Sequence, residues 1–271
     1  MKTLSVLTAL VVSLFLAQPL AGFASRQPNR EPLPNFDKRT GQEAGSPTPE
    51  RQAALATLRA KVPGVKVEFE GVTGAPRMIS VADGFLSGAS GQGKAVSAAT
   101  AARFNSDPDR ATKAFLEEHR ALLGHGAEAL SGSRVKRDFT ATNNGMRTVV
   151  WQQQVGRIPV FESVLISHTT RDGELVNLSG AFVPDPEAAA ERGRPGTAVQ
   201  TIAPLITPRA GIKAAADNVG VVVSETEILP RSEPGADPEL RQRFFAAALS
   251  EETLASLVWL PMEARELRLV W

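Results

Sequence analysis

The chain has 271 residues, of which 30 are basic and 29 acidic, so its formal net charge is only +1. No stretch joins a basic block to stacking aromatic residues, and the composition therefore argues against a nucleic-acid partner. Cysteine is absent, which excludes a disulfide framework and any thiolate metal site.

The N-terminus has the pattern of a secretory signal peptide. Lys2 precedes an apolar stretch from Leu4 to Leu20, and small residues follow up to Ala24, so residues 1–24 are predicted to be removed. A membrane anchor is the alternative, but polar residues interrupt this stretch and it is shorter than the ~20 residues that a span needs. We expect a secreted or periplasmic chain with no membrane contact after signal removal. Residues 25–47, rich in Pro, Arg, Asn and Gly, are predicted to form a flexible linker.

Three helices are predicted from capping residues and apolar spacing. The first is capped by Thr48 and ends before Pro63-Gly64, the second is capped by Asp107 and ends at Gly124, and the third, capped by Thr207, spans Pro208 to Val219. Their expected apolar faces are Leu55, Leu58 and Val62; Ala111, Ala114, Phe115, His119 and Leu122; and Ile212, Ala215, Ala216 and Val219.

Alternating apolar residues predict strands along the rest of the chain. The short ones are expected at Val65–Phe69, Met78–Val81, Arg134–Thr140, Val221–Val223, Ser256–Leu260 and Leu267–Trp271. A turn is expected at Pro261–Arg265, and Pro184 to Pro208 is expected to be a loop.

The clearest pattern is a three-stranded antiparallel meander over residues 147–186. Gly156 with Pro159 marks its first turn, and Asp172-Gly173 marks the second as a strong hairpin signal. The core faces are expected to carry Val149, Trp151 and Val155; Val160, Val164 and Ile166; and Val176, Leu178 and Phe182. The predicted fold class is α+β, an antiparallel strand meander packed with a few helices.

The meander resembles the pro-region of fungalysin-type zinc metallopeptidases, which thermolysin precursors share. The first part of that motif, Q-x-x-x-G-I-P-V-F, is matched by Gln153, Gly156 and Ile158–Phe161, and the later part by Asp172-Gly173 and Val183-Pro184-Asp185. Weaker matches extend the resemblance from Ile79 to Trp271. It implies an FTP-like pro-region over residues 48–186, followed at 187–271 by a linker helix and an incomplete, PepSY-like α+β subdomain.

No catalytic constellation accompanies this pattern. Thermolysin-like chemistry needs H-E-x-x-H on a helix, whereas His119, His125 and His168 are neither followed by Glu nor spaced four apart. Gly88–Ala95 nearly matches a phosphate-binding loop, but Ala95 replaces the hydroxyl that would bind Mg²⁺. Ser167 and His168 are strand neighbours that point to opposite faces. We therefore predict no catalytic, cofactor-binding or metal-binding residue in this chain.

The resemblance implies a non-catalytic pro-region that assists the folding of a zinc metallopeptidase domain and inhibits it, in cis or in trans. Zinc is expected only in that peptidase domain. The alternative is a stand-alone secreted inhibitor or protease-binding module. Because the apolar ending Leu269-Val270-Trp271 lacks a polar tail, we expect a chain cut short. Val160–Ile166 is expected to offer a strand edge for pairing with a partner, and Glu191–Arg194 an accessible loop for proteolysis.

Overall fold

The structure is a computed structural model that describes residues 47–91, 93–180, 182–193 and 206–271. The predicted signal peptide and all but the last residue of the predicted linker lie outside these ranges. No helix within them combines the length and the hydropathy that a membrane crossing requires.

Helices surround the strands in two groups, one before the meander and one after it. In chain order they are α1 (Pro49–Lys61), α2 (Ala98–Ala102), α3 (Arg110–Glu118), α4 (Arg120–Leu123), α5 (Glu128–Ser131), α6 (Pro186–Gly193) and α7 (Pro208–Asn218).

The strands are β1 (Val65–Phe69), β2 (Pro76–Val81), β3 (Arg134–Thr140), β4 (Arg147–Val155), β5 (Ile158–Thr169), β6 (Leu175–Gly180), β7 (Leu229–Pro230), β8 (Gln242–Phe245), β9 (Thr253–Ala255), β10 (Val258–Glu263) and β11 (Glu266–Val270). Six of them form an antiparallel main sheet in the order β1-β2-β6-β5-β4-β3. The β10–β11 hairpin joins β5 through one parallel pair, Trp259 with Val160. Strands β7, β8 and β9 form a separate sheet. The predicted α+β class and antiparallel meander are confirmed.

Three apolar cores hold these layers together. The first lies between the main sheet and α1–α5, the second joins α6 to β10 and β11, and the third joins α7 to the small sheet. The second core combines Val155, Val160 and Val183 with Ala189 and Trp259, so it draws on both sides of the boundary predicted at residue 186. That boundary stays a prediction.

Local capping chemistry starts the first and last of the predicted helices as expected. The Thr48 hydroxyl accepts a hydrogen bond from the Arg51 N–H at 3.3 Å, and the Thr207 hydroxyl accepts one from the Ala210 N–H at 3.1 Å. All three predicted core residues of α1 are buried. On α7, however, Ala215 and Val219 are exposed, because only the stripe formed by Ile212 and Ala216 contacts the third core.

The second predicted helix begins at Arg110, two residues later than expected. Asp107 does not cap it, because its carboxylate accepts a hydrogen bond from the Asp109 N–H at 2.8 Å and pairs with Lys113 at 2.5 Å. The helix then divides at His119 into α3 and α4. It ends at Gly124, as predicted, with φ +86°.

All three residues predicted for the core face of β4 are buried, but they belong to two different cores. Val149 and Trp151 lie in the first core, whereas Val155 lies in the second. The register shifts between Gln152 and Gln154. The extra residues at this point lie on β5, whereas β4 has only Gln153 between its paired positions, so the alternation of β4 continues to Val155.

The predicted core face of β5 is correct at Val160, which is buried in the second core, and wrong at Val164 and Ile166. Opposite Gln153, β5 places the four residues Val160–Ser163 between its paired positions Pro159 and Val164, with Glu162 at φ +54°. Beyond this bulge Leu165 is buried, while Val164 and Ile166 are only half-buried. On β6 a second register shift, at Val176, likewise leaves Val176 half-buried and Leu175 in the core.

Two predictions in the C-terminal third are wrong, and a third is only partly correct. Pro186–Gly193 is a helix rather than a loop, because Ala189 and Ala190 pack into the second core. The remaining loop, 194–205, lies outside the described residues. Val221–Val223 forms no strand, since Val222 is 92 % exposed. The turn predicted at Pro261–Arg265 is confined to Ala264 and Arg265, because β10 continues through Pro261 to Glu263. Proline is tolerated within β10 because this strand pairs with β5 only at Trp259.

Candidate functional site

A buried glutamine connects the separate parts of the predicted motif. The Gln153 side chain is 3 % exposed; its Nε2 donates to the Val183 carbonyl at 2.8 Å, and its Oε1 accepts from the Val183 N–H at 2.9 Å. The same Oε1 accepts from the Ser163 hydroxyl at 2.7 Å. Because buried backbone groups need partners, this amide fixes the segment after β6 onto β4 and the β5 bulge.

The neighbouring glutamine stabilises the bulge from its other side. The Gln152 Nε2 donates to the carbonyls of Val160 and Ser163 at 2.8 and 3.0 Å. These carbonyls flank the irregular part of β5, which cannot form regular ladder bonds to β4. Gln152, Gln153 and Ser163, which we call the amide clamp, therefore give the Q-x-x-x-G-I-P-V-F pattern a structural role. Neither Gln152 nor Ser163 was predicted from the sequence.

The three histidines are held by different partners on separate elements. His119 is buried, with Nε2 2.9 Å from the Ala95 carbonyl. His125 is buried beside Phe182, with ring centroids 5.6 Å apart. His168 is half-buried on β5, with Nδ1 2.8 Å from Asn177 Oδ1. Across the described ranges no three or more His, Asp or Glu side chains are grouped to hold a metal ion.

Because two histidines are buried, we predict that the free energy of unfolding depends on pH. Burial lowers the pKa of His119 and of His125 from the ordinary value of 6.5, so the unfolded chain takes up their protons first as the pH falls. The free energy of unfolding should be fully retained above pH 6.5 and should decrease below it, by at most about 2.7 kcal/mol per pH unit for two protons. Urea unfolding between pH 7 and pH 5 measures this slope, which the double variant His119→Gln/His125→Gln should reduce; the remainder comes from carboxylates such as Glu118, whose pKa is lowered to about 2. Equal stability of the unmodified protein at pH 7 and pH 5 would contradict the prediction.

The glycine-rich stretch Gly88–Ala95 packs against the rest of the fold. A 3₁₀ turn covers Ala89–Gly91, and the preceding strand, β2, already ends at Val81. The Gly91 N–H donates to the carbonyls of Gly88 and Gly173, and a Cβ at Gly91 would lie 2.6 Å from the Ala111 Cα. In the described part of this stretch, the backbone joins the β5–β6 turn to α3 and lacks the strand–loop–helix context of a phosphate-binding loop.

The side of the main sheet that faces away from α1–α5 forms a separate surface, which we call the outer face. Strand register places Met78, Ser179, Ile166, Val150 and Arg137 side by side in one row across five strands. The adjacent row contains Ser80, Asn177, His168, Thr148 and Phe139. Val164 lies beside Ile166 on the same face of β5.

The edge of this sheet differs from the one predicted. Val160–Ile166 is no free edge, because β5 lies between β4 and β6 and also pairs with β10. Strand β3 is one edge of the sheet, since it pairs only with β4 among the described strands, and it is exposed along its whole length. Phe139 on β3 is 50 % exposed.

The predicted proteolysis site is also less open than a loop. Glu191–Gly193 forms the last turn of α6, and the Arg192 Nε donates to the Arg265 carbonyl. A Cβ at Gly193 would lie 1.8 Å from the Leu267 carbonyl oxygen, so α6 packs closely on β11. Arg194 lies outside the described residues.

The comparison of the chain with known protein families gives a match within the main sheet. Residues 132–182 match the family described as the Fungalysin/Thermolysin Propeptide Motif. This range contains β3, β4, β5 and β6. A search of curated proteins gave no match.

The α+β architecture and this match define the segment as a propeptide motif of the fungalysin/thermolysin type. The predicted resemblance is confirmed over residues 132–182, and its wider extent, from Ile79 to Trp271, stays a prediction. The match covers less than half of the chain and indicates a propeptide motif of this type in that segment.

Proposed function

We propose that this chain is the non-catalytic pro-region of an exported, fungalysin-like zinc metallopeptidase, and that it acts as intramolecular chaperone and inhibitor of the peptidase domain. The observation that carries the proposal is the propeptide match over β3–β6. The sequence adds a signal-like N-terminus and lacks the H-E-x-x-H zinc-binding motif. Zinc would then belong to the peptidase domain.

The fold offers a physical basis for both roles. A chaperone must keep its shape while its partner is still unfolded, and the amide clamp fixes the irregular part of the sheet through buried hydrogen bonds. An inhibitor needs a surface that a folded domain can cover. The outer face and the exposed strand β3 supply such a surface on the segment that matches the family.

Refolding of a denatured fungalysin peptidase domain tests the chaperone role. The chain is expressed from its full-length gene and added in equimolar amount to the peptidase domain while the denaturant is diluted. We expect little activity before the chain is digested by added trypsin and a recovery of active peptidase well above the control after digestion. Serum albumin in place of the chain is the control. Equal recovery in both samples would overturn the proposed chaperone role.

A further inference from the structure

We propose that the outer face of the main sheet is the surface that docks the peptidase domain, and that the partner presents an apolar patch bordered by acidic groups. This inference rests on the proposed function and names the surface through which it would act.

The outer face carries apolar residues where a solvated sheet face is usually polar. An antiparallel sheet with one face on the core normally alternates apolar-in with polar-out. Here the outward positions include Met78, Val150, Val164 and Ile166, all half-buried, together with the exposed Phe139. None of these five side chains belongs to the three cores. Contiguous apolar surface of this kind marks interaction sites.

The residues form a patch with the composition of an interface. Met78, Ile166 and Val150 lie in one row with Ser179 between the first two, which spans roughly 15 Å at the usual strand spacing of about 4.8 Å. The next row is mainly polar and already ordered, since His168 and Asn177 are hydrogen-bonded at 2.8 Å. An apolar centre beside a polar rim is the usual anatomy of a protein interface.

Charge at the β3 end of this patch points to an acidic partner. Lys136 and Arg137 are exposed and form no ion pair with the described residues. Arg134 is 3.8 Å from Glu239, whose carboxylate is held by Arg241 at 2.6 Å. A partner with acidic groups would pair with these cations, which favours association and orients the complex.

The same charges argue against two other partners for the outer face, namely the N-terminal segment of this chain and a second copy of the chain. The N-terminal segment 25–46 has four basic residues, Arg26, Arg30, Lys38 and Arg39, against three acidic ones, so it does not complement a basic edge. A second copy of the chain would offer Glu68, which lies next to Met78 at the other end of the same row. Glu68 already pairs with Arg77 at 2.9 Å, so a second copy is a poor partner for the β3 cations.

Inhibition of a fungalysin peptidase domain by the exported chain measures the contribution of this face. We expect Ile166→Glu, which places a charge in the apolar centre, to weaken inhibition by about 100-fold, and the exposed Arg137→Glu by about 10-fold. Two matched controls should change inhibition less than about 2-fold. Val222→Glu alters an exposed valine outside the main sheet, and Arg59→Glu alters an exposed arginine on α1, which packs on the opposite side of the sheet. Circular dichroism and thermal unfolding check that each variant is folded. If Ile166→Glu does not fold, the inhibition measured with Arg137→Glu tests the proposed surface.

The possible outcomes separate the surface from the function. If the unmodified chain inhibits and both outer-face variants match their controls, the surface is wrong and the proposed function stands. If the unmodified chain does not inhibit, the proposed function fails and this inference fails with it. Self-association that Ile166→Glu abolishes, or inhibition that improves on deletion of residues 25–46, would assign the face to another occupant and overturn the inference.

Discussion

Replacement of Gly180 by alanine is expected to reduce the free energy of unfolding by about 4 kcal/mol or more. A Cβ at this position would lie 1.8 Å from the Val164 carbonyl oxygen and 2.7 Å from its carbon. These are backbone atoms of β5, which is held between β4 and β6 and cannot move away cheaply. The backbone of Gly180 also has φ +105°. Residues with a side chain rarely adopt this conformation, so alanine adds backbone strain to the steric clash.

Gly132→Ala is the matched control, because it makes the same chemical change within the segment that matches the family. Nothing lies within 4 Å of a Cβ at Gly132, and its φ is −85°. The control should change the free energy of unfolding by less than about 0.5 kcal/mol. Urea unfolding of the exported chain measures both variants. Equal effects of the two substitutions would show that the close approach of β6 to β5 is wrong.

Replacement of Gln153 by leucine is expected to cost about 3 to 5 kcal/mol of stability. The substitution keeps an apolar stem of similar size but removes the partner of both the Val183 N–H and the Val183 carbonyl. It also removes the acceptor of the bond donated by the Ser163 hydroxyl. Each buried polar group that loses its partner costs about 1 to 3 kcal/mol. The segment after β6 should loosen first, because Gln153 fixes it to the sheet.

Gln154→Leu is the control for this change. Gln154 is the next residue on β4 and is less buried than Gln153; its only side-chain hydrogen bond among the described residues is a long one, 3.3 Å, to the Arg157 carbonyl. We expect a loss below about 1 kcal/mol. Urea unfolding gives the stabilities, and hydrogen exchange at the Val183 amide reports on the clamp itself. Normal protection of this amide in Gln153→Leu would contradict the assigned role.

The features that were predicted correctly depend on local chemistry. Thr48 and Thr207 start their helices because a side-chain oxygen can accept a hydrogen bond from an N–H three residues away. Asp172-Gly173 forms the predicted hairpin turn, where Gly173 has φ +79°. The meander was predictable because its apolar runs are separated by clear turn residues.

The features that were missed depend on contacts between distant residues. The bulge on β5 has no local signal, so the period of two was continued through Val160–Ser163, and Val164 and Ile166 were assigned to the core. The small sheet formed by β7, β8 and β9 was missed because its strands are at most four residues long. Such strands depend on packing against α7 rather than on their own pattern.

One sequence signal could have indicated the outer face. Val164, Leu165 and Ile166 are three consecutive apolar residues on one strand. A half-buried strand would alternate, so an unbroken apolar run predicts that both faces of the strand are covered. Leu165 is covered by the first core, whereas Val164 and Ile166 are only half-buried. Under the proposed function, the peptidase domain would cover these two side chains.

Titration of an active fungalysin peptidase domain with the exported chain tests the central claim most directly. We predict that peptidase activity falls to a low plateau at one chain per peptidase and returns when the bound chain is digested by trypsin. Size-exclusion chromatography should detect the corresponding equimolar complex. Full peptidase activity in a tenfold excess of folded chain, with no complex detected, would contradict the claim that this chain acts as an inhibitory propeptide.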